Sequence, residues 1–279
     1  MPHFGKTIKS IRISRAISQE ELCRGVMSRS NLSRFENQLY IPSFDKVLKL
    51  LDRLTVTLDE FIYIDRNFLP SRYDHYYQKL VKAENYQNKK ELQVVSKQIA
   101  ENKEESTEFY ELFLLSQLAL IDNNLTAVLT LEEITTYMRP ILFNLENWLF
   151  FDFRRLNNFL RLFDVEEAIF LYDRAIKEFA KYEGFTKENN IKIHLSLNMG
   201  QLLLDAELPE KAIFYLRKAK QYSQQKNKVY QELISDIFIE KILHGKGERY
   251  RNRSYSDLTD LLLELGYESF VQSLVAYTS

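Results

Sequence analysis

The chain has 279 residues, 45% of them hydrophobic, and its 38 Lys+Arg against 39 Asp+Glu leave a formal charge of only −1. It is long enough to bury a large core, while seven glycines and five prolines are too few to punctuate a many-stranded β protein, so an all-α fold is expected. A single cysteine, Cys23, excludes an intramolecular disulfide framework and a cysteine-rich zinc site. With no charge-free apolar run of eighteen residues and no N-terminal cleavable segment, a cytoplasmic, membrane-free protein without cofactor or metal is the expectation.

From the N-terminus, Gly5 to Arg15 sets Ile8 and Ile11 inward and Lys6, Lys9, Arg12 and Arg15 outward, a first helix with a basic exterior. Ser18 followed by Glu21 is a capping box that starts a second helix at Gln19, and Gly25 ends it. Met27 and Ser28 close the turn, and the Ser28 hydroxyl caps a third helix that runs to about Asn37 with Leu32 and Phe35 inward. Arg29, Ser30, Ser33 and Arg34, spaced i, i+1, i+4, i+5, then form one polar stripe shaped to enter a major groove. Pro42-Ser43 opens a helix over Phe44 to Leu54, expected to bury Phe44, Val47, Leu48 and Leu51. Thr57 and Glu60 make a second capping box before a fifth short helix, Leu58 to Ile62.

Gln19, Ser28, Ser33-Arg34-Phe35-Glu36 and Pro42-Ser43 stand at the signature places of the lambda-repressor-like helix-turn-helix, which the first sixty-five residues resemble. The run Gly25-Val-Met-Ser-Arg-Ser-Asn-Leu-Ser-Arg-Phe-Glu36 more narrowly resembles the Rgg/GadR/MutR family of Gram-positive transcriptional regulators. On this reading Arg29, Ser30, Ser33 and Arg34 meet base edges, and Arg12, Arg15, Gln19 and Asn37 anchor phosphates. Residues 1 to 66 hold eleven Lys+Arg against eight Asp+Glu, a net of +3, which leaves −4 for the other 213 given the chain's −1. So small a surplus makes one copy a weak, salt-sensitive DNA binder, and a homodimer on a two-fold site is expected.

Residues 1–65 are thus assigned as a helix-turn-helix domain, 66–74 as a linker around Pro70 and Ser71, and 75–279 as a helical-repeat domain. Periodicity predicts helices near 73–86, 88–101, 104–121, 124–138, 145–161, 164–182, 187–206, 209–225, 227–244 and 255–276, the last broken at Gly266. Two segments superpose at an offset of 44: Ala168-Ile-Phe to Ala175 and Ala212-Ile-Phe to Ala219. Small residues seven apart let helices approach closely, and the pattern resembles the second helix of a tetratricopeptide repeat with a longer period. The helices from 73 to 138 would be degenerate repeats. The last would cap the stack or pair with a second subunit through Leu258, Leu261, Leu262, Leu265, Phe270, Leu274 and Val275.

Such stacks bind extended peptides on a concave face. Asn158 and Asn198 lie forty residues apart, close to the repeat offset, and an asparagine amide both donates to and accepts from a peptide unit. Arg155, one turn before Asn158, is placed to pair a peptide carboxylate, and Tyr230 to close the pocket. From the residues alone both asparagines also fit solvated or capping roles. The family resemblance implies the other reading, a sensor of a short signalling peptide. The four scattered histidines and the absence of a phosphate loop leave no catalytic constellation, and Ser43-Phe-Asp-Lys46 lacks the companion motifs of acyl-transfer enzymes. The expectation is a peptide-sensing, DNA-binding transcriptional regulator; the alternative is a protein-interaction adaptor whose helix-turn-helix is not essential.

Overall fold

A computed structural model describes residues 3–182, 184–185, 190–245, 254–268 and 271, and among them the regular structure is helical, with no strand. Two compact units, Met1–Gln78 and Lys79–Ser279, divide inside a helix.

The first unit holds α1 (Phe4–Ser14), α2 (Gln19–Cys23), α3 (Arg29–Glu36), α4 (Phe44–Arg53) and α5 (Leu58–Asp65), and α6 (Arg72–Asn85) begins in it. The expected caps form, except that the Thr57–Glu60 box keeps only its forward bond. Ser18 and Glu21 form their reciprocal box, Ser28 Oγ accepts the Asn31 N–H at 3.2 Å, and Thr57 Oγ1 accepts the Glu60 N–H at 3.2 Å. Gly25, at φ +68°, takes the left-handed conformation that turns the chain from α2 towards α3. Ile8, Ile11, Leu22, Leu32, Phe35, Leu50, Leu51, Leu54 and Phe61 make one core, each contributing about 1.5–3 kcal/mol by leaving water. Polar ties brace it: Arg53 donates to Leu22 O at 2.8 Å, and Thr7 Oγ1 donates to Asp65 at 2.6 Å.

Two expectations fail here. Phe44 and Leu48 are exposed, because Leu50 and Leu54 also point inward and rotate the buried face of α4 onto Val47, Leu50, Leu51 and Leu54. Arg12, expected outside with the other cations of α1, is buried. The residues expected as a linker, 66–74, run into α6, which Ser71 caps by accepting the Asp74 N–H at 3.0 Å.

The second unit continues with α7 (Lys89–Ala100), α8 (Thr107–Asp122), α9 (Leu131–Phe143), α10 (Phe150–Phe159), α11 (Val165–Phe179), α12 (Ile191–Asp205), α13 (Pro209–Gln225), α14 (Val229–Gly245) and α15 (Tyr255–Glu264). Neighbours in the chain pack against each other, as repeat helices must to bury their faces. The repeated alanines, Ala168, Ala175, Ala212 and Ala219, are all buried on α11 and α13. The helix expected over 124–138 is displaced. Asn124, at φ +54°, still belongs to the end of α8, and α9 starts behind the capping box of Thr130 and Glu133 and carries Pro140 within it. The expected break near Gly266 is present, with φ +81° after α15, whereas Phe270, Leu274 and Val275 lie outside the described residues.

Close helix approach sets the sharpest constraint in the first unit. A Cβ on Gly5 would stand 1.8 Å from the carbonyl oxygen of Phe35, where α1 crosses α3, and that atom is backbone and cannot swing aside. We expect Gly5→Ala to destabilise the chain by at least about 1–3 kcal/mol, the usual cost of overpacking. Urea denaturation followed by circular dichroism checks it, and an unchanged midpoint would refute the α1–α3 packing.

Candidate nucleic-acid interface and ligand groove

Leu32 and Phe35 sink into the core, and their burial turns the opposite side of α3 to solvent. Arg29, Ser30 and Arg34 are exposed there and Ser33 is half-buried, so the structure brings the four expected base-contacting residues onto one open stripe. An arginine pair flanking two hydroxyls suits bidentate donation to guanine with short contacts to neighbouring bases. Asn37 is exposed just past the helix, one amide hydrogen donated to Ser33 O at 2.9 Å. Arg15 is exposed, with Nη2 at 3.5 Å from Thr55 O, and Gln19 is half-buried at the first position of α2.

Arg12 cannot be a phosphate anchor. Its Nε and Nη2 donate to the two Glu36 oxygens at 2.6 and 2.9 Å, and Nη1 donates to Ile17 O at 2.9 Å. Gln19 Nε2 donates to the same carboxylate at 2.8 Å. Glu36 is only 1% exposed, and its hydrogen bonding, opposed by burial, raises the Arg12 guanidinium above its ordinary range. The sequence reading missed Glu36 as a partner. A carboxylate at an inward position of α3, one residue after Phe35, was the available signal, since a buried acid must find a cation.

In the second unit the four expected peptide contacts fall on three helices, Arg155 and Asn158 on α10, Asn198 on α12 and Tyr230 on α14. Asn198 on α12 donates Nδ2 to Asn157 O at 3.1 Å and to Asn157 Oδ1 at 3.2 Å, which bridges α12 to α10 and leaves its own Oδ1 as an acceptor. Its partner on α10 is thus Asn157, and Asn158 is half-buried on the same helix. Arg155 is not available to a ligand carboxylate. Its Nε and Nη2 donate to both Glu111 oxygens at 2.9 and 2.8 Å, and Nη1 to Asp152 Oδ1, which ties α10 to α8. Burial opposes the Arg155 charge, but the two carboxylates outweigh it and hold its pKa above the ordinary range; burial pushes Glu111 up despite the guanidinium. Tyr230 stacks on Tyr267 with ring centroids 4.3 Å apart, beside the cluster of Leu233, Ile237, Leu258 and Leu262 that docks α15 on α14.

Among the described residues no group of three or more His, Cys, Asp or Glu is placed to hold a metal ion, and no helix is long and apolar enough to cross a membrane. The buried Cys23 thiol faces Glu20 O at 3.6 Å within its own helix.

Residues 92–274 match the family described as HTH-type transcriptional regulator Rgg, C-terminal domain, and residues 8–61 match a helix-turn-helix family. None of the curated proteins matches the chain. Among solved structures it is similar to a Listeria monocytogenes EGD-e protein described as a transcriptional regulator, at 20% identity and TM-score 0.79 over 99% of this chain and 96% of that one. It is also similar to Bacillus thuringiensis PlcR, solved with the peptide PapR7 and DNA, at 16% identity and TM-score 0.72 over 99% of each chain. A third is Streptococcus dysgalactiae Rgg2, an SHP pheromone receptor, at 19% identity and TM-score 0.67 over 98% of each. At these identities the likeness is one of fold, an N-terminal helix-turn-helix followed by TPR-like helices.

The charge geometry separates two arginines that look alike in sequence. Arg12→Ala should cost about 3–5 kcal/mol of stability, because it strands the Glu36 carboxylate, whereas Arg34→Ala should change it by no more than about 0.5 kcal/mol. Replacing both partners, Arg12→Met with Glu36→Leu, should recover most of the loss. Denaturant midpoints of the full chain decide the matter: equal effects of the two single variants would contradict the buried pair.

Proposed function

The chain belongs to the Rgg family of transcriptional regulators, and from that premise we propose that it is a cytoplasmic homodimer whose α3 stripe reads a promoter and whose helical repeats sense a short peptide. The single observation that carries the reading is the division of α3, with Leu32 and Phe35 clamped in the core and Arg29, Ser30 and Arg34 open to solvent. A stripe of that kind is what a major groove admits. In the proposed division of the chain, residues 1–65 bind DNA, 66–74 connect, and 75–279 take the peptide and the second subunit.

Arg29 and Arg34 would contact base edges with Ser30 and Ser33 between them. Arg15, Asn37 and the α2 N-terminus at Gln19 would hold phosphates, with Arg12 left to its internal role. The peptide would lie along α10 and α12, where Asn158 and the free Oδ1 of Asn198 meet its backbone, with Tyr230 further along on α14. PlcR, which shares the fold end to end, was solved with both a peptide and DNA, and Rgg2 is a pheromone receptor, which supports the same pairing of inputs here. A peptide shifts the regulator only by binding its two states with different affinity.

DNA fragments retained by the purified chain from a random pool provide the probe. On them Arg34→Ala should cost about 1–3 kcal/mol at the selected sequence and far less on random DNA. Equal losses on both would assign Arg34 to phosphates instead.

For the second input, Asn198→Ala should weaken binding of a labelled peptide that switches the wild-type chain by about 1–3 kcal/mol, since peptide amides would be left unpaired in a desolvated groove. DNA affinity without peptide should stay as in the wild type. An unchanged peptide affinity would move the sensor away from the α10–α12 surface.

A further inference from the structure

The second unit opens with a basic face that its own packing does not use. Residues 79–97 hold five Lys against two Glu, a net of +3, while residues 1–78 carry +3 from twelve Lys+Arg and nine Asp+Glu, which leaves −7 for the other 182 given the chain's −1. Cations gather where the second unit starts. Lys82 near the end of α6 and Lys89 and Lys90 in the first turn of α7 are exposed on either side of a three-residue turn, and Tyr86 in that turn is 63% exposed. Lys97 extends the face. It lies seven residues after Lys90, with Gln93 and Val94 between them, opposite the buried Leu92, Val95 and Ile99. Both acids of the segment lie off this face. Glu91 stands one turn before Val95, and Glu84 is half-buried on the side of α6 away from Lys82, where burial raises its carboxyl pKa against the nearby Arg161 charge. Glu101 bounds the face at the far end of α7. Elsewhere in this unit Arg155 and Lys220 are committed to buried acids, whereas these lysines stand in solvent.

We infer that Lys82, Tyr86, Lys89 and Lys90 form a second, sequence-independent DNA contact, which grips the phosphate backbone of duplex flanking the sequence that α3 reads. Exposed ammonium groups beside a tyrosine hydroxyl are donors of the kind that phosphate contacts use, and the planar bidentate groups that distinguish bases are not among them. Position along the chain selects DNA over other polyanions. Six residues separate α5 from α6, and Lys82 stands ten residues into α6, about 15 Å at the helical rise, so DNA binding by the first unit holds this face near duplex at the effective concentration of a short tether. Phosphate is then the anion it meets most. The small surplus of the first unit supplies few of the contacts that set affinity, and these lysines add to them. The inference rests on the reading that α3 binds DNA, and names a second surface for the same partner.

Duplex length tests it on the full chain. A fragment carrying the selected sequence with about ten flanking base pairs on each side should bind the wild type about fivefold tighter than one trimmed to that sequence, with a log–log salt slope steeper by about two to three units. Lys82→Gln, Lys89→Gln and Lys90→Gln together should abolish both differences. The triple variant should bind the trimmed fragment as the wild type does, which also shows that it folds. Replacing two exposed cations elsewhere, Lys211→Gln with Arg217→Gln on α13, should leave the flank effect intact. A triple variant that retains the flank effect, or a wild type without one, overturns the contact. Selection lost in Arg34→Ala while flanks are immaterial would keep the α3 reading and sink the contact; lysine-dependent binding to any duplex, indifferent to Arg34→Ala, would do the reverse. Phosphatidylserine vesicles that hold the wild type but not the triple variant, with DNA binding equal in both, would assign the face to a membrane instead.

Discussion

Two nitrogens of Arg12 meet two oxygens of Glu36 inside the first unit, and the placement of α3 depends on that fork. Glu36 closes the last turn of α3, where the exposed carbonyls already carry partial negative charge, so an unpaired carboxylate there would be doubly unfavourable. Arg12 comes from the last turn of α1 and Gln19 from the first of α2, so one buried acid joins three helices. The bidentate geometry also fixes orientation, which an apolar contact would not. With Gly5 letting α1 lie against the Phe35 carbonyl, α3 has little freedom to rotate, and the stripe of Arg29, Ser30 and Arg34 stays on the outside.

The second unit uses the same device between its repeats. Arg155 of α10 grips Glu111 of α8, and Lys220 of α13 meets Asp236 of α14 at 2.7 Å, all four side chains nearly out of solvent. Tyr172 and Ser196 share a hydrogen bond of 2.8 Å between α11 and α12, and Gly200 admits the Leu216 side chain where α12 meets α13. Apolar layers alone tolerate sliding. Buried polar pairs cost more when mismatched, which makes them suited to holding one register among similar helices. The amide bridge from Asn198 to Asn157 is the half-buried member of this series.

Helix starts were legible because side chains write them. Ser18, Ser28 and Thr57 accept from the backbone three residues on, each a short-range event between neighbours in sequence; the same cap at Thr130 was not read, and the helix behind it was expected too early. Helix ends were less so. Nine non-glycine residues among those described, among them Ala16, Gln38, Thr55 and Asn124, take positive φ, mostly just beyond helix ends, so glycine marked few of the stops. The helix expected over 124–138 is found instead at Leu131–Phe143, behind the Thr130 cap and with Pro140 inside it.

The sequence by itself determined the all-α class, the five short N-terminal helices, the repeat carried by Ala168 to Ala175 and Ala212 to Ala219, and the polar stripe of α3. All of these rest on spacing along one helix or on contacts within one turn. Only the tertiary structure decided which cations are free. Arg12 and Arg34 differ little as residues on amphipathic helices, and Arg155 looked available one turn from Asn158, until Glu36, Glu111 and Asp152 arrived from elsewhere in the chain or from the far side of a turn. The rotation of α4 that leaves Phe44 and Leu48 in solvent was likewise settled by what Leu50 and Leu54 pack against. Charge pairing and facial choice are properties of neighbours in space, and helical period alone does not say which of two adjoining faces the core will take.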